Sequence, residues 1–382
     1  VTRQPRANAE YRHNAALFRP LRRRCGSLDR AMRHFRTSAR ISRQFRTLCA
    51  AFALCLLVSA CGPPTKSDPP PAPVAKPAPA KPVKIRIGLA LGGGAAKGFA
   101  HIGVIKMLEA NGFAPEVVSG TSAGSVVGAL YASGMDVFQL QKNAVALDEA
   151  SIRDVGLFGG GLVKGQKLQD YVNTMVGGRG IDNMKRPFAA VATTLQTGER
   201  IVFVRGNTGQ AVRASCSIPG VFEPVKIGNL HYIDGGVVSP VPVDAARQLG
   251  AEFVIAVDIS SKAAGRTPDS MLGVVNQSIM IMGQKLGEQE MARADVIIRP
   301  KVNDIGPADF EQRANAILEG ERAALAAMPQ IRARLAEARE KKRLAMAAAE
   351  ARNRPAPPPK PKCEKKGMLG GLLGKDENCE AE

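Results

Sequence analysis

Apolar positions in the middle of the chain follow two periods in turn. Ile85–Leu91 is a short, nearly continuous apolar run, as expected of a strand buried on both faces. A glycine loop follows, and then Phe99, Ile102, Ile105 and Leu108 fall close to one helical stripe, with Asn111-Gly112 as a stop. Pro115–Ser119 predicts a second strand and Ser125–Ser133 a second helix, ending at Gly134. This strand–helix–strand–helix order predicts an α/β fold whose central sheet is mostly parallel and flanked by helices. Further strands are predicted at Phe188–Thr194, Arg200–Arg205, Leu230–Ile233 and Phe253–Asp258. Between them, Asp148–Gly180 is glycine-rich and less periodic, and reads as a mobile flap. From Pro307 the pattern turns helical. Arg332–Arg352, rich in Ala, Arg, Glu and Lys with pairs such as Glu337–Lys341, reads as a solvated helical extension. A coiled-coil or membrane-surface helix is the other reading of that stretch. Pro355–Glu382 is Pro/Lys-rich and then glycine-rich, the composition of a disordered tail.

The formal charge of +19 invites a nucleic-acid reading, and its location argues against one. Residues 1–60 carry thirteen Arg against Glu10 and Asp29, whereas Ile85–Met328 has 23 basic and 23 acidic residues. The excess belongs to the ends, not to a folded basic face, so no nucleic-acid partner is expected. Arg43 and Arg46 precede an apolar run, Leu48–Ala60, too short to span a bilayer. It ends in Val58-Ser59-Ala60-Cys61, small residues before a cysteine, which resembles the lipobox of bacterial lipoproteins. Cys61 would then be lipidated and become the first mature residue; an ordinary signal peptide with an incidental cysteine is the alternative. Met32 would start a signal peptide of normal proportions, and residues 1–31 read as an overlong gene prediction. Gly62–Lys84 is a Pro/Ala/Lys tether. The expected division is therefore a signal region at 1–60, a lipidated cysteine and tether at 61–84, and a globular domain at 85–328. A charged helical extension at 329–354 and the tail at 355–382 complete it. These segments imply a lipid-anchored protein of the bacterial cell envelope, on the outer membrane facing the periplasm. Among seven cysteines only Cys216 lies in the globular middle, while Cys363 and Cys379 could pair in the tail. No metal-ligand spacing is present, and neither metal nor cofactor is expected.

Three motifs carry chemistry. Gly120-Thr121-Ser122-Ala123-Gly124 lies between a predicted strand and a predicted helix, the setting of a nucleophile elbow, and would put Ser122 at a helix N-terminus. Leu91-Gly92-Gly93-Gly94-Ala95-Ala96-Lys97-Gly98 is a glycine loop between strand and helix. As a dinucleotide cradle it has Ala95 where the fingerprint wants glycine, and no acidic residue ends the second strand. In a parallel sheet this loop opens on the same edge as Ser122. That suits the Gly93 and Gly94 amides to an oxyanion, with Lys97 adding charge or orienting the loop. The third motif, Asp234-Gly235-Gly236, ends the strand Leu230–Ile233, which in a parallel sheet again points to the active edge. Asp234 is either a base for Ser122 or a cap for the turn. An aspartate with its ordinary pKa is a weak base and must be close and partly desolvated to serve. His101 and His231 are the competing bases, and Asp258 is a less favoured acid.

Together these residues resemble the patatin-like phospholipases, in the bacterial branch related to neuropathy target esterase. Gly92–Gly103, Gly120–Gly124, Val212–Pro224 and Tyr232–Val243 carry the resemblance, which spans about Ile85 to Ile298. It implies a three-layer patatin-like fold and a Ser–Asp dyad in which Ser122 is the nucleophile and Asp234 the base. The resemblance also implies that the loop Gly93, Gly94, Ala95, Ala96, Lys97, Gly98 forms the oxyanion hole, with Gly93 and Gly94 as its donors. Two departures stand out: plant members often begin the loop with Asp, here Gly92, and the usual third glycine is Ala95. The implied activity is hydrolysis of carboxylic esters in membrane phospholipid or lysophospholipid, without a metal. A lipid-anchored binding or assembly protein that keeps the fold without turnover is the alternative. Oligomeric state is not readable from the sequence.

Overall fold

The computed structural model describes residues 83–148, 150, 152, 154, 163–260 and 269–354. The signal region, Cys61, most of the tether, and the tail with Cys363 and Cys379 lie outside the described residues, as do parts of the glycine-rich stretch after Asp148.

Eight strands form one sheet among the described residues: β1 (Ile87–Leu91), β2 (Val117–Thr121), β3 (Phe188–Thr194), β4 (Arg200–Phe203), β5 (Val225–Ile227), β6 (Leu230–Asp234), β7 (Phe253–Val257) and β8 (Val296–Ile298). Hydrogen-bonded neighbours run β5-β6-β3-β2-β1-β7-β8, and β4 also pairs with β3. The β3-β2-β1-β7-β8 part is parallel. Every residue of β1, β2, β3 and β7 is buried, which is why these strands read as unbroken apolar or small runs. The helices are α1 (Ala100–Ala110), α2 (Ala123–Ala132), α3 (Val137–Ala146), α4 (Gln166–Met175), α5 (Thr208–Ser215), α6 (Val243–Gln248), α7 (Met271–Met291) and α8 (Arg313–Asn353). One large cluster, including Leu89, Leu91, Ile105, Tyr131, Phe188, Phe253 and Ile331, packs α1, α2 and α8 on one face of the sheet. A smaller one, with Ala90, Val241, Val243 and Val254, packs α6 on the other. The expected α/β architecture, a mostly parallel sheet flanked by helices with a helical C-terminal extension, is the one observed.

Three expectations change. The strand that ends in Asp234 is antiparallel to β3, not parallel, pairing Asp234 with Ala192 and Tyr232 with Thr194. Alternating apolar residues pack equally well in either direction, so the run itself carries no sign of its heading. Within Asp148–Gly180, α4 is a regular helix. The Asp154 carboxylate caps it from a distance, accepting the N–H groups of Gly165 (2.7 Å), Gln166 (2.9 Å) and Lys167 (3.3 Å). Finally, the boundary expected at Met328/Pro329 falls inside α8, which runs through Pro329 unbroken. Proline there forfeits one backbone hydrogen bond, yet the helix buries Ala316, Ile317 and Ala324 before it and Ile331 and Leu335 after it. Core packing on both sides of the proline outweighs the local cost.

The register of β3 settles where Asp234 lies. At Ala190 and Val191, β3 pairs with both β2 and β4, so these two occupy opposite edges. At Ala192 and Thr193 it pairs with both β4 and β6, which puts β6 on the edge that β2 has just left. Thus β2 and β6 run head-on along one edge of β3, with Thr121 opposite Val191 and Asp234 opposite Ala192. The chain leaves β2 at Ser122 and β6 at Gly235, at the junction of the two.

Candidate active site

Ser122 sits between the last residue of β2 and the first of α2, with φ 52° and ψ −126°, a left-handed backbone that a non-glycine residue rarely adopts. The flanking glycines make the turn possible. A Cβ on Gly120 would stand 2.3 Å from the Gly124 carbonyl oxygen, and one on Gly124 would stand 2.2 Å from that of Leu91. The serine is pinned on both sides. Its N–H donates to Ser215 Oγ (2.9 Å), and that hydroxyl donates to the Val191 carbonyl on β3. Its carbonyl accepts from the N–H of Ser125 (2.8 Å) and from Ser125 Oγ (2.6 Å). Ahead of it, Thr121 Oγ1 donates to the Ser239 carbonyl (2.8 Å). Ala123 continues directly into α2, whose first N–H groups have no partner within the helix.

The glycine loop lies against this turn: a Cβ on Gly93 would be 3.3 Å from Ser122 Cβ, and one on Gly98 2.7 Å from Ala123 Cβ. The loop closes as a 3₁₀ turn, Ala95–Phe99, with Lys97 N–H donating to the Gly94 carbonyl (3.2 Å). The expected pairing of Gly93 and Gly94 as oxyanion donors needs revision. Gly93 N–H already donates to the Pro240 carbonyl (3.0 Å), and Ala96 N–H to that of Pro307 (3.1 Å). The Gly94 and Ala95 N–H groups make no hydrogen bond among the described residues, and Ala95 is held at φ 50°. Lys97 is buried, and that burial lowers its pKa while the Asp258 charge opposes the shift.

Asp234 is 5% exposed. Its two carboxylate oxygens differ. Oδ1 caps the turn, accepting the Gly236 N–H at 2.6 Å, while Oδ2 has no hydrogen-bond partner although it is buried. Burial pushes the carboxyl up to about 6, and the Ser122 side chain and the Gly236 N–H hold it back from going further. The backbone is fixed by Asp234 N–H to the Ser217 carbonyl (2.9 Å) and by Thr193 Oγ1 to the Asp234 carbonyl (3.0 Å). A Cβ on Gly235 would overlap the Val191 carbonyl oxygen, so the turn passes directly over β3. The capping role and the unpartnered oxygen coexist on one side chain.

The other candidate acids and bases are engaged elsewhere or poorly basic. His101 is wholly buried: Nε2 donates to the Gly92 carbonyl (2.8 Å) and holds the glycine loop, Nδ1 has no hydrogen-bond partner, and burial lowers the ring to about 4, which makes it a weak base. His231 Nδ1 accepts from the Gln196 side-chain amide (3.1 Å) on the hairpin side of β6. Asp258 pairs with Arg299 (3.3 Å) and accepts from Ser260. Among the described residues no cluster of three or more His, Cys, Asp or Glu could hold a metal ion.

Two residues of the site had no role assigned from sequence, although both lie in the Val212–Pro224 block. Ser215 anchors the Ser122 amide. Cys216 packs beside Ser122 and Asp234, with Sγ 3.8 Å from Ser125 Oγ, and burial and the Asp234 charge keep its thiol protonated. Both stand at the end of α5, and only the tertiary fold brings that helix end under the elbow.

Residues 89–247 match the family model for patatin-like phospholipase. An uncharacterised NTE family protein of Mycobacterium tuberculosis is 35% identical over 187 residues, covering 48% of this chain and 52% of that protein. A lysophospholipase, NTE1, of Scheffersomyces stipitis is 29% identical over 188 residues, covering 48% of this chain and 12% of that protein. The chain spans about half the length of the mycobacterial relatives it matches. The crystal structure of VipD from Legionella pneumophila aligns with a TM-score of 0.38 at 14% identity, over 64% of this chain and 66% of that one, a likeness too slight to bear on function. Over residues 89–247, therefore, the chain is homologous to a patatin-like phospholipase domain and to uncharacterised proteins of the NTE family.

Proposed function

We propose that this protein is a serine acyl hydrolase that cleaves carboxylic esters of membrane phospholipids or lysophospholipids through Ser122 and Asp234. The observation that carries the reading is the junction of β2 and β6. There a serine on a left-handed turn meets a buried carboxylate with one oxygen unpartnered. The family match and a relative named as a lysophospholipase support the substrate class.

In the reaction, Ser122 Oγ attacks the ester carbonyl carbon while Asp234 Oδ2 takes the hydroxyl proton. The oxygen that becomes negative is stabilised by the Gly94 and Ala95 N–H groups and by the N-terminal end of α2. Collapse breaks the ester C–O bond, and Asp234 returns the proton to the departing alcohol, leaving an acyl-serine. A water molecule then gives its proton to Asp234 and adds to the acyl carbonyl. Collapse then breaks the acyl C–Oγ bond, Asp234 returns the proton to Ser122 Oγ, and the fatty acid leaves. A carboxyl near 6 suits both halves of this cycle better than one near 4, because it must accept a proton and then give it back.

Attachment at Cys61 and the tether belong to the same proposal: the lipidated chain finds its substrate in the bilayer that anchors it, in the cell envelope. The decisive experiment is product analysis on a panel of phospholipids and lysophospholipids, wild type against Ser122→Ala, with fluorophosphonate labelling alongside. Fatty acid release and labelling should both vanish in Ser122→Ala. Labelling that persists in that variant refutes the nucleophile, and a wild type that binds lipid without releasing fatty acid makes the protein a binding module. Palmitate incorporation indifferent to Cys61→Ser removes the anchor.

A further inference from the structure

One buried acid outside the Ser122–Asp234 pair grips the segment that braces both the elbow and the glycine loop. Glu290 lies in the last turn of α7 and is 4% exposed. Its Oε1 accepts from Ser239 Oγ, and its Oε2 accepts the Val241 N–H at 3.0 Å. The segment held in this way, Ser239–Val241, reaches the site twice. The Ser239 carbonyl accepts from Thr121 Oγ1 (2.8 Å), one residue before Ser122. The Pro240 carbonyl accepts the Gly93 N–H (3.0 Å), one residue before Gly94. Immediately beyond, the Pro242 carbonyl takes Ser119 Oγ (2.7 Å) from the middle of β2.

We propose that Glu290 is a positioning residue for acyl transfer: through Ser239–Val241 it keeps the Ser122 elbow and the glycine loop in register with each other. The inference rests on reading Ser122 as the nucleophile. Its physical basis is the donor count. An ionised carboxylate accepts from the Ser239 hydroxyl and the Val241 amide at once, whereas a protonated one must give up an acceptor oxygen to its own hydrogen. Such a buried network is firm when fully satisfied and loose when one member drops out. The charged groups that face Glu290 are Arg200 on β4, 3.5 Å from Oε1, and Asp244 on α6. Asp244 is itself bound by Arg200 (3.1 Å) and Arg293 (2.7 Å). Burial pushes Glu290 up to about 7. Its hydrogen bonds and Arg200 act against that shift, and Asp244 adds to it. The clamp is therefore complete above neutral pH and loosens as pH falls below it.

Full-length Glu290→Gln, Glu290→Ala and Ser239→Ala test this with kinetics, thermal midpoints and amide exchange at Gly93. In Glu290→Ala, kcat should fall about tenfold or more with KM within about twofold, and Gly93 should exchange at least about tenfold faster. Glu290→Gln keeps an acceptor and should lose only about threefold. Its kcat–pH profile should lack the component near 7 and keep the Asp234 limb near 6. Folded variants with unchanged kcat and unchanged Gly93 exchange overturn the proposal. So does a kcat loss that disappears when each variant is assayed at the same distance below its own midpoint, because the role is then structural only. Should Glu290→Ala not fold, Glu290→Gln and Ser239→Ala decide the matter by the same two readouts. A wild type that hydrolyses no ester refutes the functional reading alone, and Gly93 exchange then judges the clamp by itself.

Discussion

The two sides of the site are built to opposite standards. On the nucleophile side, the Ser122 N–H and carbonyl, the Thr121 hydroxyl and the Gly93 N–H all have partners between 2.6 and 3.0 Å, drawn from α2, α5 and the segment after β6. On the acid side, Asp234 is as deeply buried and yet leaves one carboxylate oxygen without a partner. Saturation gives the serine one fixed position. Under-satisfaction leaves the aspartate with proton affinity to spare, because a buried, partly unsolvated carboxylate is uncomfortable as an anion. Rigidity and reactivity are thus assigned to different residues that meet at a single junction.

The sharpest way to break this contrast is to satisfy the acid side. Asp234→Asn keeps the shape and the cap to Gly236 but cannot take a proton, so turnover should fall about 10³-fold, as expected for removal of a positioned general base. Steady-state hydrolysis of a short-chain ester reads this. Normal rates in Asp234→Asn, with loss in His101→Ala or His231→Ala, would move the base to a histidine.

Next in size is an insult to the saturated side. Gly124→Ala forces a methyl into the Leu91 carbonyl, backbone against backbone, where nothing flexible can give way. A loss on the order of 3 kcal/mol or failure to fold is expected, read by thermal unfolding. Tolerance of alanine there would mean the elbow is looser than its contacts imply.

This asymmetry also decides how much was legible in the sequence. A Cβ on Gly120 or Gly124 would collide with a backbone carbonyl oxygen, so the pattern Gly-x-Ser-x-Gly between strand and helix announced the tight turn that carries Ser122. The parallel strands were legible because full burial leaves an unbroken apolar signature. Asp234 does lie at the end of the strand where the sequence places it, but it reaches the neighbourhood of Ser122 by a different route. The parallel-edge argument fails for β6, and Asp234 reaches Ser122 because β6 runs against β2 along one edge of β3. Strand direction leaves no trace in the five residues of β6, and the three-residue β5 and β8 leave almost none of any kind. The helix α7 was missed because it exposes Met271, Val274, Val275, Ile281 and Met282, so its apolar positions do not fall on one buried stripe. Glu290, Ser215 and Asp154 act on partners far along the chain, at distances no local pattern encodes.

A third test uses pH, and activity and stability should move in opposite directions. The folded Asp234 carboxyl is raised to about 6 from an ordinary 3.8, so the folded state holds its proton over a window where the unfolded chain has lost it. Stability from this group is present in full below about pH 4 and is lost as pH rises through about 6, a loss of roughly 2–3 kcal/mol. Turnover needs the anion and should rise with pH through the same window. Unfolding free energies from pH 4 to 7.5 should change on Asp234→Asn by the contribution of this group, while the raised Glu290 and the lowered His101 keep theirs. A wild-type rate that is flat from pH 5 to 7 would detach Asp234 from catalysis. Smaller again is Ser215→Ala. It leaves the buried Ser122 N–H and Val191 carbonyl without their shared hydroxyl, for about 1–2 kcal/mol of stability and about a tenfold drop in kcat.

The smallest effect sits in the glycine loop, where the backbone is strained. Ala95 is held at φ 50°, a conformation that costs an L-residue with a Cβ on the order of 1 kcal/mol and costs glycine nothing. The family resemblance places a glycine at this position, and the backbone here has kept the glycine-like shape around an alanine. Ala95→Gly relieves that strain but also gives the unfolded chain more freedom to lose, so the two terms partly cancel. A net gain of about 0.5 kcal/mol is expected in thermal unfolding, and kcat should change by less than about twofold if the Ala95 N–H already points where the reaction needs it. A kcat that rises several-fold instead would mean the alanine holds its amide off line. The loop, and not the aspartate, would then be the less finished half of the site.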